Sequence, residues 1–300
     1  MRKRQLVFVA VLAAVAVSAA SAVGIASADP ASDAKTKTIK SSTVDTRSDL
    51  DDYWTPERMA KAKPISAPKT DTATGDTQPT GDPVVVDGTK PDGVTTQSPV
   101  DMSIGRLFFS TDDGDYICSA NVVPSDNGSV LATARHCGFE NNGRNYRFAP
   151  DYESGNTPHG WWDWKSAGWT SGGDGVAFDY AFIVLNKKDG RTVTDAVGSS
   201  GIAFNNAIDR DAQITGIPGA TDAVFNCNGK AYTNGNNQQL MDDCNGMSGG
   251  ASGGAWLQDM DGNSGYQVGT YFGSVGDAAA GSYFGNEAME VWKGAGSQSV

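Results

Sequence analysis

Residues 116–137 read Tyr116-Ile117-Cys118-Ser119-Ala120-Asn121-Val122-Val123-Pro124-Ser125-Asp126-Asn127-Gly128-Ser129-Val130-Leu131-Ala132-Thr133-Ala134-Arg135-His136-Cys137. Two apolar runs, Tyr116 to Val123 and Val130 to Ala134, flank Asn127-Gly128, a dipeptide that tolerates the positive φ a tight hairpin turn demands. The stretch therefore predicts two short paired strands, the second ending on a histidine beside a cysteine. Outward from it, comparable runs recur about every ten residues: Arg106 to Phe109, Asn145 to Phe148, Tyr180 to Leu185, Ala212 to Ile217, Ala223 to Phe225, Gly254 to Leu257 and Tyr266 to Phe272. Asp261-Gly262 marks a second turn. Short runs with regular turn signals predict an all-β sandwich or barrel from Met102 onward, and roughly 200 residues suffice for one large or two small barrels. One helix is expected there, Glu287 to Lys293, capped by Asn286 and stopped at Gly294.

Composition agrees with this class. The 300 residues include 37 glycines, and only 19% are charged, a balance that suits a turn-rich β protein. Twenty-three basic against 35 acidic side chains give a net charge of −12. Such a chain has little with which to neutralise phosphates, so nucleic acid is excluded as the expected partner, and an anionic membrane surface is disfavoured for the same reason. Four cysteines are too few for a disulfide mini-scaffold.

The first 100 residues read differently. Arg2, Lys3 and Arg4 precede the apolar run Leu6 to Ala20, which drifts into small residues ending Ala26-Ser27-Ala28. Residues 1–28 thus read as a secretory signal peptide with an A-x-A cleavage site, and the protein as secreted and extracellular. Residues 29–100 are rich in Thr, Asp, Lys, Pro and Ser, and their only aromatic residues are Tyr53 and Trp54. They predict a disordered pro-segment or linker, with one short helix around Thr55 to Lys63 and Pro56 at its first position.

Few residues offer chemistry. An acid-base mechanism that needs imidazole near neutral pH must use His136 or His159. His159, among Gly160, Trp161, Trp162 and Trp164, sits in a loop-like stretch that favours packing. Gly249-Gly250-Ala251-Ser252-Gly253-Gly254 holds a serine between glycines whose backbone N–H groups can converge on an oxyanion, with Ser248 a competing nucleophile. Asp179 precedes the run Tyr180 to Leu185, where its carboxylate can orient an imidazole; Asp174 is its rival. No C-x-x-C spacing or histidine cluster provides a metal site. Asp259 to Asn263 starts like a calcium loop but lacks its glycine and bidentate glutamate, and reads as a turn. The cluster Trp161, Trp162, Trp164 and Trp169 reads as packing beneath loops.

The segments Leu107-Phe108-Phe109 to Cys118-Ser119-Ala120, Thr133-Ala134-Arg135-His136-Cys137, Asp179-Tyr180-Ala181 and Gly250-Ala251-Ser252-Gly253-Gly254 together resemble secreted bacterial trypsin-like serine peptidases of the chymotrypsin fold. They follow the order His, Asp, Ser over roughly residues 102–292. The resemblance implies two six-stranded antiparallel β-barrels with a short C-terminal helix, residues 101–300 forming the peptidase domain. It implies Ser252 as nucleophile, His136 as general base and then acid, Asp179 as the group that holds the imidazole tautomer, and the N–H groups of Gly250 and Ser252 as the oxyanion hole. Two departures stand out: Ala251 occupies the place of the usual Asp and Ala255 that of the usual Pro. Four cysteines allow three pairings, and the resemblance implies Cys118 with Cys137 and Cys227 with Cys244, each worth on the order of 3 kcal/mol.

A secreted endopeptidase acting on polypeptide substrates follows, working as a monomer without cofactor or metal and free of the membrane once its signal is removed. The competing expectation is a catalytically silent binding or adhesion module on the same scaffold. The side-chain pocket, expected near Gly246-Met247-Ser248 with Thr270 to Gly273 as one wall, is neutral in sequence. Asp242 and Asp243 upset that reading only if the loop register differs.

Overall fold

The computed structural model describes residues 35–40, 47–65, 67, 79, 81–91, 102–171, 176–261 and 264–300. In chain order its elements are β1 (Lys35–Lys40), α1 (Arg47–Tyr53), α2 (Pro56–Met59), β2 (Lys63–Pro64), β3 (Val84–Val86), β4 (Ile104–Thr111), β5 (Gly114–Val123), β6 (Val130–Thr133), β7 (Arg144–Pro150), β8 (Trp162–Ser171), β9 (Ala181–Leu185), α3 (Val193–Val197), β10 (Gly201–Phe204), β11 (Asp211–Gly216), β12 (Phe225–Lys230), β13 (Gln238–Met241), β14 (Ala255–Gln258), β15 (Tyr266–Val275), β16 (Ala278–Tyr283) and α4 (Asn286–Gly296). The signal-peptide reading of 1–28, Asp174 and Gly262 all fall outside the described residues.

The hairpin at Asn127-Gly128 forms: β5 and β6 pair antiparallel from Asn121↔Ala132 to Val123↔Val130, and Gly128 takes φ 63°. From there the ladder runs β8-β7-β4-β5-β6-β9 and closes on itself through β8–β9, a six-strand barrel filled by Leu107, Phe109, Val122, Leu131, Phe148, Trp164 and Ile183. The second half is a sheet in which β12, β11, β14, β15, β16 and β13 follow one another antiparallel. β10 adds to β15 in parallel and carries β3 at its edge. This is the all-β architecture expected, with a short C-terminal helix. Both bridges are those the resemblance implied, Cys118–Cys137 and Cys227–Cys244.

Several elements differ from expectation for identifiable reasons. The C-terminal helix starts one residue early and runs to Gly296; its N-cap is Gly285, which has no side chain to cap with, and the Asn286 side-chain Oδ1 accepts from Asn205 Nδ2 at 2.8 Å. Trp162, Trp164 and Trp169 lie in strand β8 rather than in a loop, and Trp161 directly precedes it. Trp162, Trp164 and Trp169 point into the barrel core, so the packing reading stands while the loop reading does not. α3 is capped by a reciprocal Thr192–Asp195 box.

Part of 29–100 is ordered against the disorder expected of it. α2 has Pro56 in its first turn, as expected, with Thr55 as N-cap, but Leu50 and Trp54 are buried against Phe108, Ile117, Ala149 and Tyr152. Trp54 Nε1 donates to Asn145 O at 2.7 Å. A segment too polar to bury a core of its own borrows one from the barrel wall. Among the described residues no helix is long and apolar enough to cross a membrane.

Candidate active site

The register of the first barrel brings the site together. β6 pairs antiparallel with β9, Thr133 lying opposite Ala181, so the turn leaving β6 and the residues entering β9 meet at one rim. His136 is in that turn and Asp179 in that approach. His136 Nδ1 lies 2.7 Å from Asp179 Oδ2, and the His136 backbone N–H donates to Oδ1 at 2.8 Å. Asp179 is fully buried. Its own N–H donates to Ser282 Oγ at 3.0 Å, and its carbonyl accepts from Thr270 Oγ1 at 3.0 Å. Both carboxylate oxygens and both backbone groups are therefore held, and the aspartate has no freedom to turn.

Ser252 reaches the same rim from the second sheet. Its carbonyl accepts from Ser119 N at 2.7 Å, and the next residue, Gly253, donates to Tyr271 O at 2.7 Å. Cys137 Sγ is 3.9 Å from Ser252 O. Gly253 has φ +83°, and a Cβ there would lie 2.2 Å from both Ser119 O and Thr133 Oγ1, so only glycine lets the Ser252 loop sit this close to the histidine turn. The Ser252 hydroxyl donates to Phe272 O at 3.3 Å, while His136 Nε2 is buried and has no hydrogen-bond partner among the described residues. Ser252 and the imidazole are thus not bonded to each other in this conformation.

The other candidates separate cleanly. Ser248 is exposed and contributes its carbonyl to Ala251 N, 3.0 Å away. His159 stands 3.5 Å from Asp151, with its carbonyl accepting from Lys188 Nζ, away from the rim. Asp242 accepts from Tyr232 Oη at 2.8 Å and is exposed, as is Asp243. Cys118 and Cys137 sulfurs and a His136 nitrogen lie within 4.8 Å of one another, but sulfurs joined in a disulfide offer no thiolate to a cation.

One group at the site escaped the sequence reading. Arg106 reads as part of a strand, yet its guanidinium is completely buried beneath the Ser252 loop. Nη1 donates to Ile217 O at 2.7 Å and to Gly250 O at 3.2 Å, and Nη2 to Asp222 Oδ1 at 2.7 Å. Burial pulls its pKa down, and the bond to Asp222 opposes this. Tyr152 Oη donates to the other Asp222 oxygen at 2.8 Å. Burial first and Asp222 second raise that phenol to about 12, keeping it a donor. Ser119 Oγ adds a second bond to Gly250 O, 2.9 Å, and accepts from Ile217 N at 2.9 Å.

Arg106 and Ser119 thus fix the Gly250–Ala251 peptide, and the peptide before it is fixed separately. Gly249 O accepts from Gly219 N at 2.8 Å, so the N–H on the far side of that peptide, that of Gly250, is directed away from Gly219. Gly250 has φ +97°, and a Cβ there would lie 2.7 Å from Gly219 N. The only sequence signal was a charge inside an apolar run, which periodicity alone cannot distinguish from an exposed strand position.

Solved structures similar to this chain include two proteases. A thermostable serine protease, AL20, from an extremophilic microorganism is 34% identical, with a TM-score of 0.59, and the match covers 66% of this chain and 98% of the other. Protease Anisep from Arthrobacter nicotinovorans is 29% identical, with a TM-score of 0.60, covering 67% and 99%. No family model and no curated protein sequence matches.

Proposed function

Because the chain belongs to the serine proteases of the chymotrypsin fold, we propose that it is a secreted endopeptidase working through an acyl-enzyme on Ser252. The observation that carries the reading is the doubly bonded His136–Asp179 pair beside a serine held between glycines. The carboxylate keeps the ring proton on Nδ1 and leaves Nε2 free to accept. On substrate binding the Ser252 hydroxyl leaves Phe272 O and gives its proton to Nε2 as Oγ attacks the carbonyl carbon. The N–H groups of Gly250 and Ser252 stabilise the oxyanion. His136 then returns the proton to the leaving amine, and water repeats the sequence to free the acid. Two disulfides support an oxidising, extracellular setting.

The specificity pocket is neutral on this reading. Gly246 packs under the Phe225 ring, a Cβ there falling 2.1 Å from Phe225 Cζ, and Asp242 is engaged with Tyr232 outside. A buried substrate cation without a partner costs several kcal/mol. A mixed peptide library is therefore expected to be cut after apolar or small residues. Cleavage confined to Lys, Arg or Glu sites would show that the pocket lies elsewhere, and no cleavage of any peptide by either the parent chain or an Ile65→Asp variant would overturn the endopeptidase reading.

Arg106 acts as a positioning residue for the oxyanion hole, since Ala251 has no carboxylate to order the loop. Arg106→Met is expected to lower kcat by about a hundredfold with KM changing far less, and to weaken a peptide aldehyde inhibitor in step with kcat/KM. Ser119→Ala, which removes one hydroxyl from the same carbonyl, should give a smaller loss of the same kind. Unchanged kcat in both variants, with the fold intact by circular dichroism, would remove Arg106 from the machinery.

A further inference from the structure

Resting on the reading of Ser252 as nucleophile, we propose that this chain carries its own cleft occupant. Lys63–Ile65 and Ala67 lie across the substrate cleft in the direction opposite to a productive peptide, and they inhibit the enzyme until they are displaced.

Four contacts trace the path. β2 pairs in parallel with β5, Lys63 opposite Tyr116 and Pro64 opposite Ile117, immediately before Cys118. Pro64 stands on the nucleophile loop: a Cβ on Gly249 would lie 2.8 Å from Pro64 Cβ, and one on Gly219 would lie 3.0 Å from Pro64 Cγ. Ile65 is half-buried against the cluster that contains Cys118 and Cys137. Ala67 then faces the opposite wall, where a Cβ on Gly273 would lie 3.0 Å from Ala67 Cβ. Gly273 follows Phe272, whose carbonyl holds the Ser252 hydroxyl. Lys63 and Ala67, four residue steps and at most about 14 Å of chain apart, thus stand on the two flanks of Ser252, and both Ser252 and His136 are buried.

The preceding residues hold this span in register. Trp54 meets Phe108 edge to face at 5.5 Å. Tyr53 Oη donates to Asp115 Oδ1 at 2.7 Å, and Arg58 Nε to Asp115 Oδ2 at 2.5 Å, next to the residue that Lys63 faces. Arg147 pairs with both Asp51 and Asp163. These bonds tie the inhibitor to the barrel independently of the cleft.

Direction follows from the chemistry. The leaving amine has to lie where His136 can protonate it, so the C-terminal half of a productive peptide runs toward the histidine turn and the Cys118–Cys137 bridge. Its N-terminal half lies along Thr270 to Gly273. Lys63 and Pro64 lie on the bridge side and Ala67 at Gly273, the reverse of that course. A reversed backbone presents no scissile bond with its nitrogen toward His136, and so it blocks the site without being cut. Displacing such a segment is a common way of releasing an enzyme.

The test uses the full chain carrying Ala67→Cys and Gly273→Cys. The two cysteines are expected to join on mild oxidation, and the locked protein to react with a fluorophosphonate probe at Ser252 at least about tenfold more slowly than the same protein unlocked. Ile65→Asp, which unseats a half-buried apolar side chain, should react about tenfold faster than the parent chain. Cysteines that stay free, or equal labelling of locked and unlocked forms, would overturn the proposal while an adduct on Ser252 left the nucleophile in place. Absence of any Ser252 adduct, in Ile65→Asp as well, would remove the nucleophile reading and the inhibition with it.

Discussion

Ser252→Ala is expected to abolish peptide hydrolysis and fluorophosphonate labelling, lowering kcat by about a millionfold, with melting temperature nearly unchanged. Among the described residues the hydroxyl makes one hydrogen bond, 3.3 Å long, to Phe272 O. The backbone at Ser252 is held by its carbonyl on Ser119 N and by the neighbouring Gly253–Tyr271 bond, neither of which needs the side chain. Ser248→Ala should leave the rate within a fewfold, because Ser248 is exposed and contributes only its carbonyl to the loop. Steady-state rates with mass mapping of the adduct decide the matter. Loss of activity in Ser248→Ala together with its retention in Ser252→Ala would assign the nucleophile to the wrong serine.

Asp179→Asn should cost about ten-thousandfold in kcat with little change in KM. The two carboxylate oxygens accept from two different donors, the His136 backbone N–H at 2.8 Å and the His136 ring at 2.7 Å. An amide has one oxygen to offer. If it faces the backbone N–H, its NH₂ meets the imidazole and forces the ring proton onto Nε2, where it blocks acceptance from Ser252. If it faces the ring, the backbone N–H is left opposite a donor, and a buried group is unsatisfied at a cost of about 1–3 kcal/mol. Either arrangement damages the site, the first through rate and the second through stability. An Asp179→Asn enzyme with both undiminished would show that the pair has no catalytic role.

The parts of this protein that local chemistry dictates were legible in the chain. Asn127-Gly128 imposes a hairpin wherever it falls between apolar runs, and Asp179 before Tyr180 to Leu185 could be placed at a strand entry without knowing the strand's partners. β8 was not legible. A register shift between Trp164 and Ser166 breaks the alternation that marks a strand, so the tryptophans read as a loop cluster. β10, β13 and β16 were missed because Gly201, Gln238, Gln239 and the alanines and glycine of Ala278 to Gly281 carry little strand propensity of their own. They are strands because neighbours bury them.

The order His136, Asp179, Ser252 and the glycines around the serine belong to the sequence, since residue identity and spacing are enough to name them. Arg106 belongs to the tertiary structure. Its carbonyl partners lie 111 and 144 residues away, and only barrel closure turns a strand charge into a buried clamp on the Ser252 loop. The same holds for residues 47–65. Their composition correctly excludes a core of their own, but it carries no information about a surface elsewhere that Leu50 and Trp54 can share. Whether a polar segment stays free or lies across a cleft depends on the complementarity of that distant surface, which exists only once the two sheets have formed.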